Sequence, residues 1–224
     1  MKKIKILTIT LITCLMLSFV GCGKSNVPAI TEAAEVFMEA MDEADIDTIS
    51  ENCTEKAFKS LGLKALDPSR NSDDFFRGMG MEKELFSEDA LATVDEYGKY
   101  YSEALISDYT INEVTEEDNE GYVNITVATY DLQSLKEELT EHFKTKLEPL
   151  VTAYTEENAD ELAAIYLENG EEAMVVHMFN NLMNDIMDLQ KELIDNIETE
   201  DVTFILTLEN IDDEWLVTDA EEID

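Results

Sequence analysis

The sequence predicts an α+β protein behind a cleavable leader. Three observations carry this. A basic start and an uncharged apolar run end at Gly21-Cys22-Gly23. Two stretches, residues 123–128 and 202–209, alternate apolar and polar side chains with period two. Elsewhere apolar residues recur at steps of three and four, the spacing of helices.

Lys2, Lys3 and Lys5 form a positive start, and residues 6–20 are apolar apart from three threonines and a serine. That run is short of the roughly 20 residues a spanning helix needs. A basic start, a short apolar centre and a small residue at the cut are the plan of a signal peptide. Phe19-Val20-Gly21-Cys22 resembles the lipobox of a bacterial lipoprotein signal, with Phe19 where that family usually has Leu. The resemblance implies cleavage after Gly21 and a diacylglyceryl thioether on Cys22. It also implies a place at the outer face of the cytoplasmic membrane, since two acyl chains hold a protein firmly where one is marginal. Residues 1–21 are then the signal, 22–29 the lipidated cysteine and its tether, and 30–224 one folded domain.

Pro28 ends the tether. Ile30, Ala33, Phe37, Ala40, Met41 and Ala44 follow at helical spacing, with acids between them. Asp47 is placed to cap a second helix bearing Ile49, Cys53 and Ala57 on one face. Cys53 reads there as a small core residue. Residues 61–71, with Gly62 and Pro68, read as loop, and 82–106 as helix. The period then changes. Residues 109–114 read as a strand, 116–121 as a polar turn and 123–128 as its partner, a hairpin.

Residues 131–199 return to a helical pattern and form an insertion. Leu132, Leu135, Leu139, Phe143 and Leu147 mark one helix, which Pro149 breaks or kinks. A second runs over residues 157–167 and stops at Asn169-Gly170. A third carries Val175, Phe179, Leu182, Ile186, Leu189 and Leu193 as a short heptad seam. Met174, Met178, Met183 and Met187 on it read as core filler. Two strands, 202–209 and one starting at Trp215, close the chain around an acidic turn.

Charge narrows the function. The chain has 15 Lys+Arg against 52 Asp+Glu. Without the leader 12 basic residues remain, for a formal charge of −40. Such a surface argues against nucleic acid, whose phosphates need Lys and Arg. It favours solubility, and a cationic protein or peptide as partner. No zinc, P-loop, dinucleotide or hydrolase motif occurs, so no cofactor and no catalytic residue is assigned. Glu116-x-Asp118-x-Glu120-Gly121 lacks the glutamate a calcium loop needs at its twelfth position, Val127, and reads as a solvated turn. His142 and His177 read as structural.

Three segments, AAEVFMEAMDEADID (33–47), YVNITVATYDL (122–132) and VTFILTLENIDDEWLV (202–217), together resemble the nuclear-transport-factor-2-like (NTF2-like) superfamily as found in small lipoproteins of Firmicutes. The resemblance implies a cone of helices packed on a curved antiparallel sheet, with a pocket between. The insertion at 131–199 departs from that compact fold. The superfamily's enzymes use Asp, Tyr or His inside the cone, and many members only bind. The expectation is a membrane-anchored, non-enzymatic binding or interaction module. The alternatives are an isomerase or hydrolase using an Asp or Tyr, and a transporter-associated substrate-binding lipoprotein.

Overall fold

A computed structural model describes residues 25–130, 138 and 141–223. The first helix, α1 (Val27–Asp42), carries Pro28 in its first turn, where the missing N–H is no loss. It begins inside the stretch 22–29 expected as tether. Its apolar face buries Ile30, Ala34, Phe37, Met38 and Ala40. The second helix is capped by Asp45 and not by Asp47. The Asp45 carboxylate accepts from the Thr48 N–H at 3.2 Å, and α2 covers Ile46–Glu51. The helix expected to continue through Cys53 and Ala57 breaks instead. Cys53 bridges to Val217, and Thr54 caps a separate α3 (Glu55–Ser60). Ile49, Cys53 and Ala57 are nonetheless all buried.

Residues 61–71 are not a loop. They hold a 3-10 turn (Leu63–Leu66) and the start of α4 (Pro68–Met79). The Asp67 side chain caps α4 at the Ser69 N–H, and Pro68 suits its first turn. Next comes a 3-10 turn (Lys83–Leu85), and then α5 (Glu88–Ala104), capped by Ser87.

Four strands form one antiparallel meander in the order β1-β2-β3-β4: β1 (Ile106–Glu117), β2 (Glu120–Tyr130), β3 (Thr199–Ile211) and β4 (Glu214–Ile223). Both hairpins turn on two residues, Asp118-Asn119 and Asp212-Asp213, each with positive φ. Short Asp and Asn side chains tolerate that conformation, and its twist matches the strands. The apolar spacing slips from two to three at Ile111–Val114 and again at Val217–Ala220. A bulge sits at each slip. The extra residue returns the next apolar side chain to the buried face.

The insertion, where described, is helical as expected. A π-helical turn (Phe143–Leu147) runs into α6 (Glu148–Glu157), whose first turn holds Pro149. The chain thus passes the proline without a break. Then α7 (Ala159–Asn196) runs to the start of β3, interrupted at Gly170 (φ 91°, ψ 179°). That backbone conformation is open only to glycine, and the expected stop at Asn169-Gly170 is realised as a kink. The helical marks Leu132, Leu135 and Leu139 lie outside the described residues.

Two cores result. The first lies between the sheet and α1–α3. It joins Ile30, Phe37 and Ile49 to Val123, Ile125, Leu208 and Val217. The second joins α4, α5 and α7 through Phe76, Phe86, Val94, Leu182, Met183, Ile186 and Met187. Met183 and Met187 fill a core, as expected. Where the two meet, the Tyr130 hydroxyl donates to the Ile194 carbonyl at 3.4 Å, and Thr129 Oγ1 to the carbonyl of Leu105, just past the end of α5, at 3.1 Å.

Candidate functional sites

Gly21 and Cys22 lie outside the described residues; what the structure fixes is the point where the chain behind them enters the fold. Asn26 is tied to Glu116 at the end of β1. Its backbone N–H donates to Oε2 at 2.9 Å and its side-chain amide to Oε1 at 2.6 Å. Four residues on, Ile30 packs over Gly121. A Cβ on that glycine would stand 2.7 Å from Ile30 Cγ2. Glu116, Gly121, Leu208 and Val217 form one transverse row of the sheet, at its hairpin end. Sequence reading missed the Asn26–Glu116 contact, because nothing local relates residues 90 positions apart.

Open grooves lie among the described residues. One, of about 550 Å³, lies where α7 passes into β3 and is lined by Leu193, Asn196, Ile197, Glu198 and Thr199. Nearby on α7, Asp195 accepts a hydrogen bond from the Tyr100 hydroxyl, and Lys191 Nζ stands 5.7 Å from the Tyr100 ring centre. Burial first, and then the Asp195 carboxylate, push the Tyr100 hydroxyl well above its usual range, so it stays a proton donor.

The other groove, of about 650 Å³, lies between α3 and the start of α4. Phe58, Lys59, Lys64, Ala65, Arg70 and Asp74 line it. The signal for it was present in the sequence as a local excess of Lys and Arg over residues 56–83.

Tyrosines, the residue type the superfamily resemblance puts in a pocket, are spread out. Burial raises Tyr97 to about 12 within the helical half. Tyr109 also rises to about 12, by burial first and then by Glu39, Glu35 and Asp42. Burial pushes the Cys53 thiol up, which keeps it protonated and fits its core position. His177 Nε2 lies 3.1 Å from Glu161 and links the two arms of α7. Among the described residues no three His, Cys, Asp or Glu side chains are grouped to hold a metal, and no helix is long and apolar enough to cross a membrane.

Neither a family model nor a curated protein matches the chain. Among solved structures, that of a putative lipoprotein (ycdA) from Bacillus subtilis subsp. subtilis str. 168 is similar at 16% identity and a TM-score of 0.36. The match covers 80% of this chain and 52% of that one, so the chain spans about half the length of the protein it matches. At that TM-score the likeness assigns neither fold nor function.

Proposed function

We propose that this chain is a lipoprotein held by Cys22 at the extracytoplasmic face of the membrane, and that its domain is a non-enzymatic binding module. The observation that carries the reading is the lipobox-like Phe19-Val20-Gly21-Cys22, which ends four positions ahead of Asn26, itself tied to Glu116. Only three residues separate Cys22 from that tied asparagine. The span reaches roughly 14 Å when extended. The hairpin end of the sheet is thereby held close to the bilayer, nearer than a tether running to residue 29 would put it. An NTF2-like cone is the finer fold reading, supported by the helix-covered antiparallel sheet and its bulged outer strands.

Two open grooves support binding over turnover. In each, the charged groups sit at an accessible surface, where water competes for them. The isomerase or hydrolase alternative rests on Tyr100 and Asp195. A specific turnover lost in Tyr100→Phe or Asp195→Asn would replace the binding reading with that one.

The anchor is tested by acyl labelling and fractionation of the full precursor. The native chain is expected in the membrane fraction, with label on its N-terminal peptide. Cys22→Ala is expected to lose the label and the cleavage. A labelled or normally processed Cys22→Ala chain would sink the assignment.

A further inference from the structure

Residues 56–83 hold six basic side chains against four acidic ones, in a chain with 15 and 52 overall. This is a local reversal of sign, and the fold makes it concave. Lys59 on α3, Lys64 on the 3-10 turn and Arg70 on α4 line one groove together with Phe58 and Ala65.

The cations are not equally occupied. Lys59 pairs with Glu55 at 2.5 Å. Among the described residues Arg70 pairs with Asp74 through Nε, at 3.5 Å, while Arg77 holds the same carboxylate at 2.6 Å. The terminal nitrogens of Arg70 are therefore the weakly engaged edge of its guanidinium. Lys64 has no ion pair among the described residues. Two donors of positive charge thus face a surface that also offers a half-buried aromatic ring.

The size of the occupant follows from the field. The rest of the chain carries 48 acids. At physiological ionic strength charges are screened beyond about 8 Å. A polyanion or an anionic bilayer would extend past that range and meet the repulsion of those acids. A compact ligand with one anionic group would feel mainly Lys64 and Arg70. We propose that this groove binds a small carboxylate with an apolar body. The carboxylate is held by Lys64 and the free edge of Arg70, and the body lies on Phe58 and Ala65. Asp74, which also lines the groove, disfavours a second negative charge there. The inference extends the binding-module reading and is independent of the lipid on Cys22.

Naphthoate is the probe, with naphthamide as its uncharged match. Both are titrated calorimetrically into the full mature chain in detergent, against a detergent blank. Naphthoate is expected to bind about tenfold or more tightly than naphthamide, the worth of a charge-assisted contact. Lys64→Ala combined with Arg70→Ala is expected to erase that preference, while Lys99→Ala on α5 leaves it intact. Both groove positions are exposed, and circular dichroism checks that the double variant keeps its fold. Equal affinity for acid and amide, an unaffected double variant or no measurable heat would each overturn the proposal. A chain recovered without lipid would refute the anchor and leave this titration readable.

Discussion

The two halves of the molecule solve folding differently. The sheet half packs mainly Ile, Val, Leu and Ala, with Phe37 and Trp215, against a four-stranded ladder. Ile30, Val94 of the neighbouring half apart, belongs to a set that includes Ile49, Val123, Leu208 and Val217, all fully buried. The helical half packs Phe, Leu and Met side chains from α4, α5 and α7. Charge separates them as well. The four strands contain no Lys or Arg, and α1 has none either. The helical half carries cross-element pairs, Lys83 with Asp73 at 2.7 Å and Lys191 with Glu96 at 3.3 Å. Lys83 holds the Asp73 carboxyl below its usual range, and Asp73 raises Lys83. The strands and α1 thus carry their acids with no Lys or Arg among them, whereas α3, on the same core, pairs Lys59 with Glu55. The helical half offsets charge locally, over a core of more adaptable side chains.

The strongest way to break this contrast is to empty the first core. Phe37 is 2% exposed and lies between α1 and the sheet. Phe37→Ala is expected to destabilise the protein by about 3–5 kcal/mol, read by denaturant unfolding. Hydrogen exchange should rise across β2 and β3 as well as α1. A loss confined to α1 would show that helix and sheet are not one cooperative unit.

A finer comparison sets close packing against adaptable packing. Gly121→Ala puts a methyl group against the buried, β-branched Ile30, which has little room to turn. The expected loss is about 1–3 kcal/mol. Met187→Leu, at 1% exposure in the helical half, is a volume-conserving change and is expected to lose less than about 1.5 kcal/mol. Equal losses at the two sites would remove the distinction.

The halves also differed in how much their sequence disclosed. Alternation marked β2 and β3 directly, because each strand has one buried face. The stop at Asn169-Gly170 marked the place where α7 kinks. Bulges hid parts of β1 and β4: the apolar step of three at Ile111–Val114 is noise to a period-two reading until a partner strand shows the extra residue. The start of α4 was hidden for another reason. Gly62 and Pro68 signal loop, yet Asp67-Pro68 is also a helix start, and only the packing of Phe76 decides between them. Of the candidate sites, the lipobox resemblance is local to four residues and lies outside the described part of the chain. The groove beside Arg70 needed both a charge count and the fold that brings α3 to α4.

The smallest effect tests the charge contrast itself. On α1, Glu35 has Glu32 and Glu39 one turn away on either side. Burial, then Glu39, then Glu32 raise its pKa above the ordinary glutamate value. A carboxyl whose folded pKa is raised binds its proton more tightly in the folded chain than in the unfolded one. Ionisation therefore weakens the fold at neutral pH, and the penalty is relieved as pH falls through the raised folded value toward the unfolded one. Glu35→Gln removes the charge and keeps the shape. It is expected to stabilise the chain at pH 7 by less than about 0.5 kcal/mol, the scale of surface changes. The gain should vanish below the unfolded glutamate pKa, and it should shrink in high salt. Neutralising Asp73 in the helical half should do the reverse. That carboxylate has its pKa lowered by Lys83, so its contribution is present above the unfolded value and is lost as pH falls through the folded one. Opposite signs from the two substitutions in urea titrations at pH 7 would sharpen the contrast, and matching signs would break it.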